Sequence, residues 1–210
     1  MFYIGFLIFI FLIGSIPFGL LISHYWLKID IRQQGSGNIG MTNVMRVGGK
    51  LPGILTFVLD FGKGIFAVIL TKIIFYDPEG STEEQLFFQS LVGVTVVLGH
   101  VFSVFLNFKG GKGISTLFGV LTILDFSVGL LAAIIWAGIF SWKRISSLSG
   151  IFMLTCLPFL FIFIPWIKNE SPVWTIFLLF LMLSLLLLFK HKDNIQRLLK
   201  GQESKLSSNK

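Results

Sequence analysis

The hydrophobic positions fall into long, nearly uninterrupted runs, and polar or glycine-rich segments separate these runs. A membrane-spanning helix needs roughly 20 consecutive apolar residues, and most of the runs approach or exceed that length. The pattern therefore predicts an all-α integral membrane protein with a single transmembrane domain over residues 1–210, in which residues 193–210 form a cytoplasmic tail. The apolar runs are residues 2–27, 51–75, 86–106, 114–142, 151–167 and 173–189.

The run at residues 114–142 allows two interpretations. As one helix it would extend about 43 Å at 1.5 Å per residue, which is more than the hydrocarbon core requires. Asp125 lies near its middle and is followed by Ser127 and Gly129. A carboxylate at that depth favours a hairpin of two helices that turns near Asp125, and the hairpin gives seven spans instead of six.

Charge separates these two topologies. Cytoplasmic loops carry the excess of lysine and arginine. With seven spans and the N-terminus outside, 14 of the 17 basic residues fall on the cytoplasmic side. Six spans place Lys109/Lys112 and Lys143/Arg144 on opposite sides. We therefore predict seven transmembrane helices, the N-terminus outside and the C-terminus cytoplasmic.

Composition supports the membrane assignment and limits the choice of partners. Hydrophobic residues make up 54% of the chain and charged residues only 13%, so a soluble domain could not bury the apolar surface. The first run has neither a basic residue ahead of it nor a small-residue cleavage site, and we expect it to be a retained helix. The net charge of +7 is explained by orientation and attraction to anionic lipid, so no nucleic-acid partner is expected.

The first polar connector, "GSGNIGMTNVMRVGGK", is dense in hydrogen-bonding side chains. It contains G-x-G-x-x-G, but it follows a membrane helix instead of a β-strand, which excludes a dinucleotide site. Glycines allow backbone amides to approach an anion, and arginine can bind phosphate with two parallel hydrogen bonds. A loop with helix caps is the structural alternative. The candidate binding and catalytic residues here are Ser36, Gly37, Asn38, Thr42, Asn43 and Arg46.

The second connector, "NFKGGKGIST", predicts a phosphate-binding loop. Gly110, Gly111 and Gly113 are expected to expose amides, and Lys112 would add a positive charge. A helix that begins near Ile114 would direct its positive end at the same loop. A flexible turn with orienting lysines is the alternative, but it does not explain three glycines around Lys112.

Two further connectors carry candidate residues. "KRISSLSG" offers Ser146 and Ser147, for which a capped helix start is an equal alternative. "HKDNIQRLLKGQE" offers His191 and Asn194, which share one face of a helix, although a solvated tail helix would also explain this segment. With seven spans, all four connectors lie on the cytoplasmic side, which indicates a receptor for a small polar phosphate and a lipid-like phosphate.

No metal or other cofactor is expected, because the intracellular acids Asp30, Asp193 and Glu203 are too scattered to form a metal site. His100 is expected to be a hydrogen-bonded structural histidine. Asp60 and Lys63 lie three residues apart inside a span and are expected to pair. An anion transporter and a lipid-binding scaffold remain the rival classes, although the sequence shows no inverted repeat of the kind that transporters use.

The motifs, in this order, resemble those of the bacterial acyl-phosphate-dependent glycerol-3-phosphate acyltransferases, the PlsY family. The similar segments are "GSGNIGMTNVMR", "LDFGKG", "GHVFSVFLNFKGGKGIST", "RISSLS" and "HKDNIQRLLKGQE". The resemblance implies seven spans in the bacterial inner membrane with the active site at the cytoplasmic face. It also implies transfer of an acyl group from acyl phosphate to the 1-hydroxyl of glycerol 3-phosphate, which gives lysophosphatidic acid and phosphate. We expect a monomer.

The resemblance also implies roles for individual residues. Ser36 and Arg46 match essential residues of the family, and the loop around Lys112 matches its phosphate-binding loop. His191 and Asn194 match its C-terminal site pair. Glu203 matches its structural acid. Ser103, Ile145 and Lys192 depart from the family pattern, beside the expected site. The proton acceptor stays open between the substrate phosphate and His191.

Overall fold

The fold is all-helical in the computed structural model, which describes residues 1–206. No β-strand occurs in that part of the chain, which confirms the predicted class. The helices are α1 Phe2–Ser15, α2 Phe18–Tyr25, α3 Met41–Gly48, α4 Lys50–Ile74, α5 Thr82–Val101, α6 Ile114–Leu124, α7 Phe126–Lys143, α8 Ser146–Ile167, α9 Trp174–Lys190 and α10 Lys192–Leu199.

The described chain divides into two compact units. The first unit comprises residues 1–74 and 92–120, and it therefore holds α1 to α4 and the glycine-rich connector that precedes α6. Among the described residues, the second unit comprises residues 75–91 and 121–206, and it holds α7 to α10.

Five helical segments within residues 1–206 are long and apolar enough to cross a membrane, and a sixth qualifies if α9 and α10, bent by 58°, count as one span. The five are Phe2–Tyr25, Lys50–Ile74, Thr82–Leu106, Phe126–Lys143 and Ser146–Ile167. Helix α6 is apolar but has 11 residues, about 16 Å at 1.5 Å per residue. The seventh span and the orientation of the termini stay predictions.

The chain breaks and reverses at Asp125, as the sequence predicts. Helix α6 ends at Leu124 and α7 begins at Phe126. The Asp125 carboxylate accepts hydrogen bonds from the amides of Ser127 (2.8 Å) and Val128 (3.1 Å) and so caps α7. A methyl group on Gly129 would lie 3.1 Å from the Leu121 carbonyl carbon, whereas residues eight apart in a straight helix are about 12 Å apart. The carboxylate is therefore the cap of a hairpin.

The first apolar run is not one continuous helix, which corrects the expectation for residues 2–27. Helix α1 ends at Ser15, and α2 begins at Phe18. Pro17 lies between them, and proline both lacks an amide hydrogen and clashes with the preceding turn. The break leaves the Ile16 carbonyl as an acceptor for the Lys63 ammonium at 3.1 Å.

The third run also ends earlier than its hydrophobicity suggests. Helix α5 stops at Val101, and a 3-10 helix, Val104–Leu106, follows. Ser103, between the two, is buried, and its hydroxyl donates to the Ser15 carbonyl at 2.5 Å. This hydrogen bond joins the end of α5 to the end of α1.

Helices α4 and α6 touch through backbone atoms in the first unit. A methyl group on Gly64 would collide with the Thr116 carbonyl oxygen, and one on Gly119 would collide with the Phe61 carbonyl oxygen. The missing side chains allow the helices to approach this closely. The contact also fixes the start of α6, which follows the glycine loop (residues 110–113), against α4.

We predict that Gly64→Ala destabilises the protein by about 1–3 kcal/mol, because an added methyl group must push apart two rigid backbones. Gly62→Ala is the matched control on the same helix, since a methyl group there meets no atom within 4 Å. Thermal unfolding in detergent should show a lower Tm for Gly64→Ala and no loss for Gly62→Ala. Equal effects of the two substitutions would contradict the proposed backbone contact.

Candidate functional site

The loop before α3 is held together by one buried amide side chain. The Oδ1 atom of Asn43 accepts a hydrogen bond from the Ser36 amide at 2.8 Å. Its Nδ2 donates to the carbonyls of Gln34 and Asn38, each at 2.9 Å. Asn43 is 2% exposed. Its side chain therefore sets the shape of the loop and presents Ser36, whose side chain is exposed.

The start of α3 is fixed by a second asparagine. The Oδ1 atom of Asn38 accepts from the Gly40 amide at 2.8 Å, and α3 begins one residue later. Thr42 and Arg46 follow on this helix. The Nε atom of Arg46 is buried and has no hydrogen-bond partner within residues 1–206. A buried guanidinium donor is costly to leave unsatisfied, so this atom is suited to an anionic ligand.

Two amides of the glycine loop already form hydrogen bonds within the protein, which the sequence does not show. The Gly110 amide donates to the Val101 carbonyl, and the Gly111 amide donates to the His100 carbonyl, each at 3.1 Å. The expectation that both amides would be exposed is therefore wrong. Both carbonyls belong to the last turn of α5, where helical partners are lacking, so the loop satisfies the end of that helix.

Gly113 closes the loop and starts the next helix. Its φ of +78° is a backbone conformation that residues with a side chain rarely adopt. Its carbonyl accepts a hydrogen bond from the Leu117 amide at 2.8 Å. Helix α6 begins at Ile114, as predicted. The first amides of a helix lack partners within it and carry partial positive charge. The amides whose charge would suit an anion are therefore those at the start of α6, directly after Lys112.

An apolar cluster joins the two connectors of the first unit. Ile39 and Val44 from the first motif pack with Ile31 and with Leu106, which lies three residues before Lys109. All four side chains are at most 7% exposed. The segment that leads into the glycine loop is thus anchored on the motif that carries Ser36 and Arg46.

The Asp60 and Lys63 side chains pair as predicted, with Oδ1 and Nζ 2.9 Å apart. His100 joins them, since its Nδ1 lies 2.9 Å from Lys63 Nζ. His100 is therefore hydrogen-bonded, as expected. Its place as the third member of this cluster was not predicted. The signal was present, because an ionisable residue inside a span calls for partners.

In the second unit, Glu203 ties three segments together. Its Oε1 accepts from Ser147 at 2.8 Å and from Asn194 at 2.6 Å, and its Oε2 accepts from Arg197 Nε at 2.6 Å. The start of α8, helix α10 and the segment after it meet at this carboxylate. Ser147 thus bonds to Glu203 through its side chain and does not cap α8.

His191 lies where α9 ends and α10 begins, and it is 2% exposed. Its Nδ1 lies 2.8 Å from the Leu187 carbonyl oxygen. A carbonyl only accepts hydrogen bonds, so Nδ1 carries a proton and Nε2 carries the lone pair of the neutral ring. Asn194 is 4% exposed. The solvated-tail interpretation is therefore wrong for both residues, although residues 207–210 of that tail lie outside the described chain.

The predicted site residues thus form one group in each unit. The group in the first unit lies on the first connector, which packs against the segment that precedes the glycine loop, and consists of Ser36, Asn38, Asn43 and Arg46. The group in the second unit is joined by hydrogen bonds to Glu203 and consists of Ser147 and Asn194. Arg197, the third partner of Glu203, was not predicted. Within residues 1–206, no three His, Cys, Asp or Glu side chains are grouped as metal ligands.

Five or six helices long and apolar enough to cross a membrane, within the described residues, define a polytopic membrane protein. The comparisons specify the family. A family model described as glycerol-3-phosphate acyltransferase matches residues 4–201, and the chain belongs to this family. A glycerol-3-phosphate acyltransferase of Ehrlichia chaffeensis is 41% identical over 197 residues, which cover 94% of this chain and 93% of the relative.

Two solved structures share the fold. Both are crystal structures of PlsY (YgiH), an integral membrane glycerol 3-phosphate acyltransferase. The glycerol 3-phosphate form matches with a TM-score of 0.83 and 38% identity, and the lysophosphatidic acid form with 0.81 and 36%. Each comparison covers 99% of this chain and 97% of the other.

The Glu203 carboxylate predicts a pH dependence of stability. Burial alone would raise its pKa, but the hydrogen bonds from Ser147, Arg197 and Asn194 together lower the pKa below the ordinary value of 4.5. The folded state therefore favours the carboxylate, and this stabilisation is complete above pH 4.5 and lost as pH falls through the lowered pKa.

We expect Glu203→Gln to lower the Tm most near neutral pH, with the gap to the wild type closing as pH falls below about 4.5. Thermal unfolding in detergent across this range measures the gap. A gap that stays constant, or that widens at low pH, would contradict the assignment of Glu203 as an ionised anchor.

Proposed function

We propose that this protein transfers a fatty acyl group from acyl phosphate to the 1-hydroxyl of glycerol 3-phosphate, the first step of phospholipid synthesis. Family membership over residues 4–201 supports the acceptor and the reaction class. The observation that best supports a binding site is the buried Arg46 Nε, which has no hydrogen-bond partner within residues 1–206. Arg46 lies on the motif that packs against the segment preceding the glycine loop. The donor is inferred from the motif resemblance.

The reaction exchanges one bond to the acyl carbon for another. The glycerol hydroxyl oxygen forms a bond to the acyl carbonyl carbon, the bond from that carbon to the phosphate oxygen breaks, and phosphate leaves. Because acyl phosphate is already activated, the protein has to align the two substrates and neutralise the developing negative charge. We assign that charge neutralisation to Arg46, Lys112 and the first amides of α6.

Other candidate residues divide into contacts and supports. Ser36 and Thr42 are proposed to contact substrate from the first motif, and Gly37 and Gly113 to admit it close to the backbone. Asn38, Asn43, Gly110 and Gly111 act through the loop shapes that their hydrogen bonds fix. In the second unit, Ser146, Ser147, His191 and Asn194 are proposed to serve the same reaction.

The hydroxyl proton must leave as the ester forms. Two acceptors remain in the proposal, the substrate phosphate and His191. The Nδ1 contact of His191 with the Leu187 carbonyl supports the second acceptor, because it leaves the lone pair on Nε2.

We further propose seven spans in a bacterial inner membrane, with the N-terminus outside, the active site at the cytoplasmic face and a monomeric enzyme. The break at Asp125 supports the seven-span count, because it divides the fourth apolar run into α6 and α7. The excess of lysine and arginine in the connectors supports the orientation.

The proposal is tested with purified protein, acyl phosphate and labelled glycerol 3-phosphate, with acyl-CoA as the alternative donor. We expect lysophosphatidic acid and phosphate in equal amounts from acyl phosphate, and none from acyl-CoA. Product from acyl-CoA alone would overturn the donor. Uptake of glycerol 3-phosphate into sealed vesicles without product would overturn the enzyme assignment in favour of a transporter.

We expect Arg46→Lys to lower kcat/KM at least about tenfold, the equivalent of one 1.4 kcal/mol contact, because lysine keeps the charge but loses the forked guanidinium. Arg32→Lys is the matched control, three residues before the connector that carries Arg46. Arg32 pairs with Asp30 at the surface, with Nη2 and Oδ2 2.7 Å apart, and its substitution should leave turnover unchanged. Wild-type kinetics in Arg46→Lys would refute the role of Arg46.

A further inference from the structure

Three ionisable side chains to which the proposed reaction assigns no role meet inside the first unit. Asp60 and Lys63 come from α4, and His100 comes from the last turn of α5. Each is at most 4% exposed. Ionisable groups within membrane helices are costly and persist where they are paired and have a function. The pairing is visible, so the question is what the cluster supports.

The partners of Lys63 determine the tautomer of His100. The ammonium has three neighbours: Asp60 Oδ1 at 2.9 Å in an ion pair, the Ile16 carbonyl at 3.1 Å and His100 Nδ1 at 2.9 Å, which itself lies 3.5 Å from Asp60 Oδ1. An ammonium can only donate, so the arrangement that pairs a charged Lys63 with Asp60 has the lone pair of His100 on Nδ1. The ring then carries its own hydrogen on Nε2. One negative and one positive charge remain, and the buried cluster is neutral.

The opposite edge of the His100 ring faces the glycine loop. A methyl group on Gly111 would collide with the Nε2 atom, so a side chain at this position is excluded by the imidazole. The Gly111 amide also donates to the carbonyl of His100 itself, at 3.1 Å. Gly110 approaches the same carbonyl so closely that a methyl group there would collide with it. The loop therefore rests on His100 through both ring and backbone.

We propose that His100 is a positioning residue for the glycine loop, held by the Lys63–Asp60 pair with its Nε2–H edge against Gly111. Contact with the ring fixes the position of Gly111, and thereby the positions of Lys112 and of the first amides of α6. This inference rests on the proposed function for its kinetic consequence, but the tautomer and the contact with Gly111 do not depend on it.

The tautomer is tested by nitrogen NMR on protein labelled with ¹⁵N in the histidine rings. Three histidines are present, and His100→Gln identifies the His100 signals by their loss. We expect a neutral ring protonated on Nε2. A ring protonated on Nδ1, or a charged ring, would overturn the proposed arrangement whether or not the protein is an acyltransferase.

The contact is tested by a double-mutant cycle between His100→Asn and Gly111→Ala. Asparagine keeps an acceptor for Lys63 but does not reach Gly111, which leaves room for the added methyl group. We expect Gly111→Ala to lower kcat/KM at least about tenfold in the wild type and less than about threefold in His100→Asn. The same factor in both backgrounds would overturn the contact.

The split between KM and kcat separates positioning from general loss of structure. His100→Asn should raise KM for a phosphate-bearing substrate about tenfold while kcat changes less than about threefold. His100→Gln, whose amide reaches the place of Nε2, should keep KM within about threefold of wild type. Equal KM values for Asn and Gln variants would overturn the proposal. If His100→Asn does not fold, the Gln variant and the NMR result decide.

Ser90→Ala is the control on the same helix. Ser90 is fully buried and its hydroxyl donates to the Leu86 carbonyl of its own helix at 2.7 Å, so loss of the hydroxyl should leave KM unchanged. A kinetic effect of Ser90→Ala equal to that of His100→Asn would assign the KM change to general disturbance of α5 and overturn the positioning role.

The proposed function and the tautomer of His100 can fail separately. Absence of lysophosphatidic acid from the wild type would refute the proposed function alone, because the tautomer measurement would still stand.

Discussion

The first unit depends on how it neutralises one buried ammonium. Lys63 finds acceptors on three segments, because Asp60 lies on its own helix, His100 ends α5, and Ile16 lies in the break between α1 and α2. A lysine buried in this way without such partners would be strongly destabilising. The break at Pro17 therefore stabilises Lys63 together with the ion pair. It leaves the Ile16 carbonyl available to Lys63, whereas in a continuous helix that carbonyl would accept from a backbone amide.

The same need to satisfy backbone groups explains why the glycine loop differs from its expected form. The sequence shows glycines and lysines, which suit a phosphate, but it does not show which amides are already used. The last turn of α5 leaves carbonyls without helical donors, and those of His100 and Val101 take the amides of Gly111 and Gly110. The loop ends one helix and starts the next, so the proposed anion site is assigned to its second half.

Local signals were sufficient for some features and silent on others. The turn at Asp125 and the Asp60–Lys63 pair were predictable, because a charge inside an apolar run needs a cap or a neighbour. The contact of His100 with Lys63 spans 37 positions, and no periodicity encodes such a distance. The role of Asn43 was hidden for a different reason: asparagine suits a ligand and a loop equally well, and only its hydrogen bonds to Ser36, Gln34 and Asn38 distinguish them.

The two buried histidines show how partners decide chemistry. In the proposed arrangement Lys63 donates to Nδ1 of His100, 2.9 Å away, which puts the hydrogen of that ring on Nε2. The Leu187 carbonyl accepts from Nδ1 of His191, so the lone pair of that ring lies on Nε2. A ring with a lone pair on Nε2 can take a proton there, whereas a ring with Nε2–H can only donate from that edge. The contacts of the two rings therefore agree with the separate roles proposed for them, His191 as a proton acceptor and His100 as a support of the glycine loop.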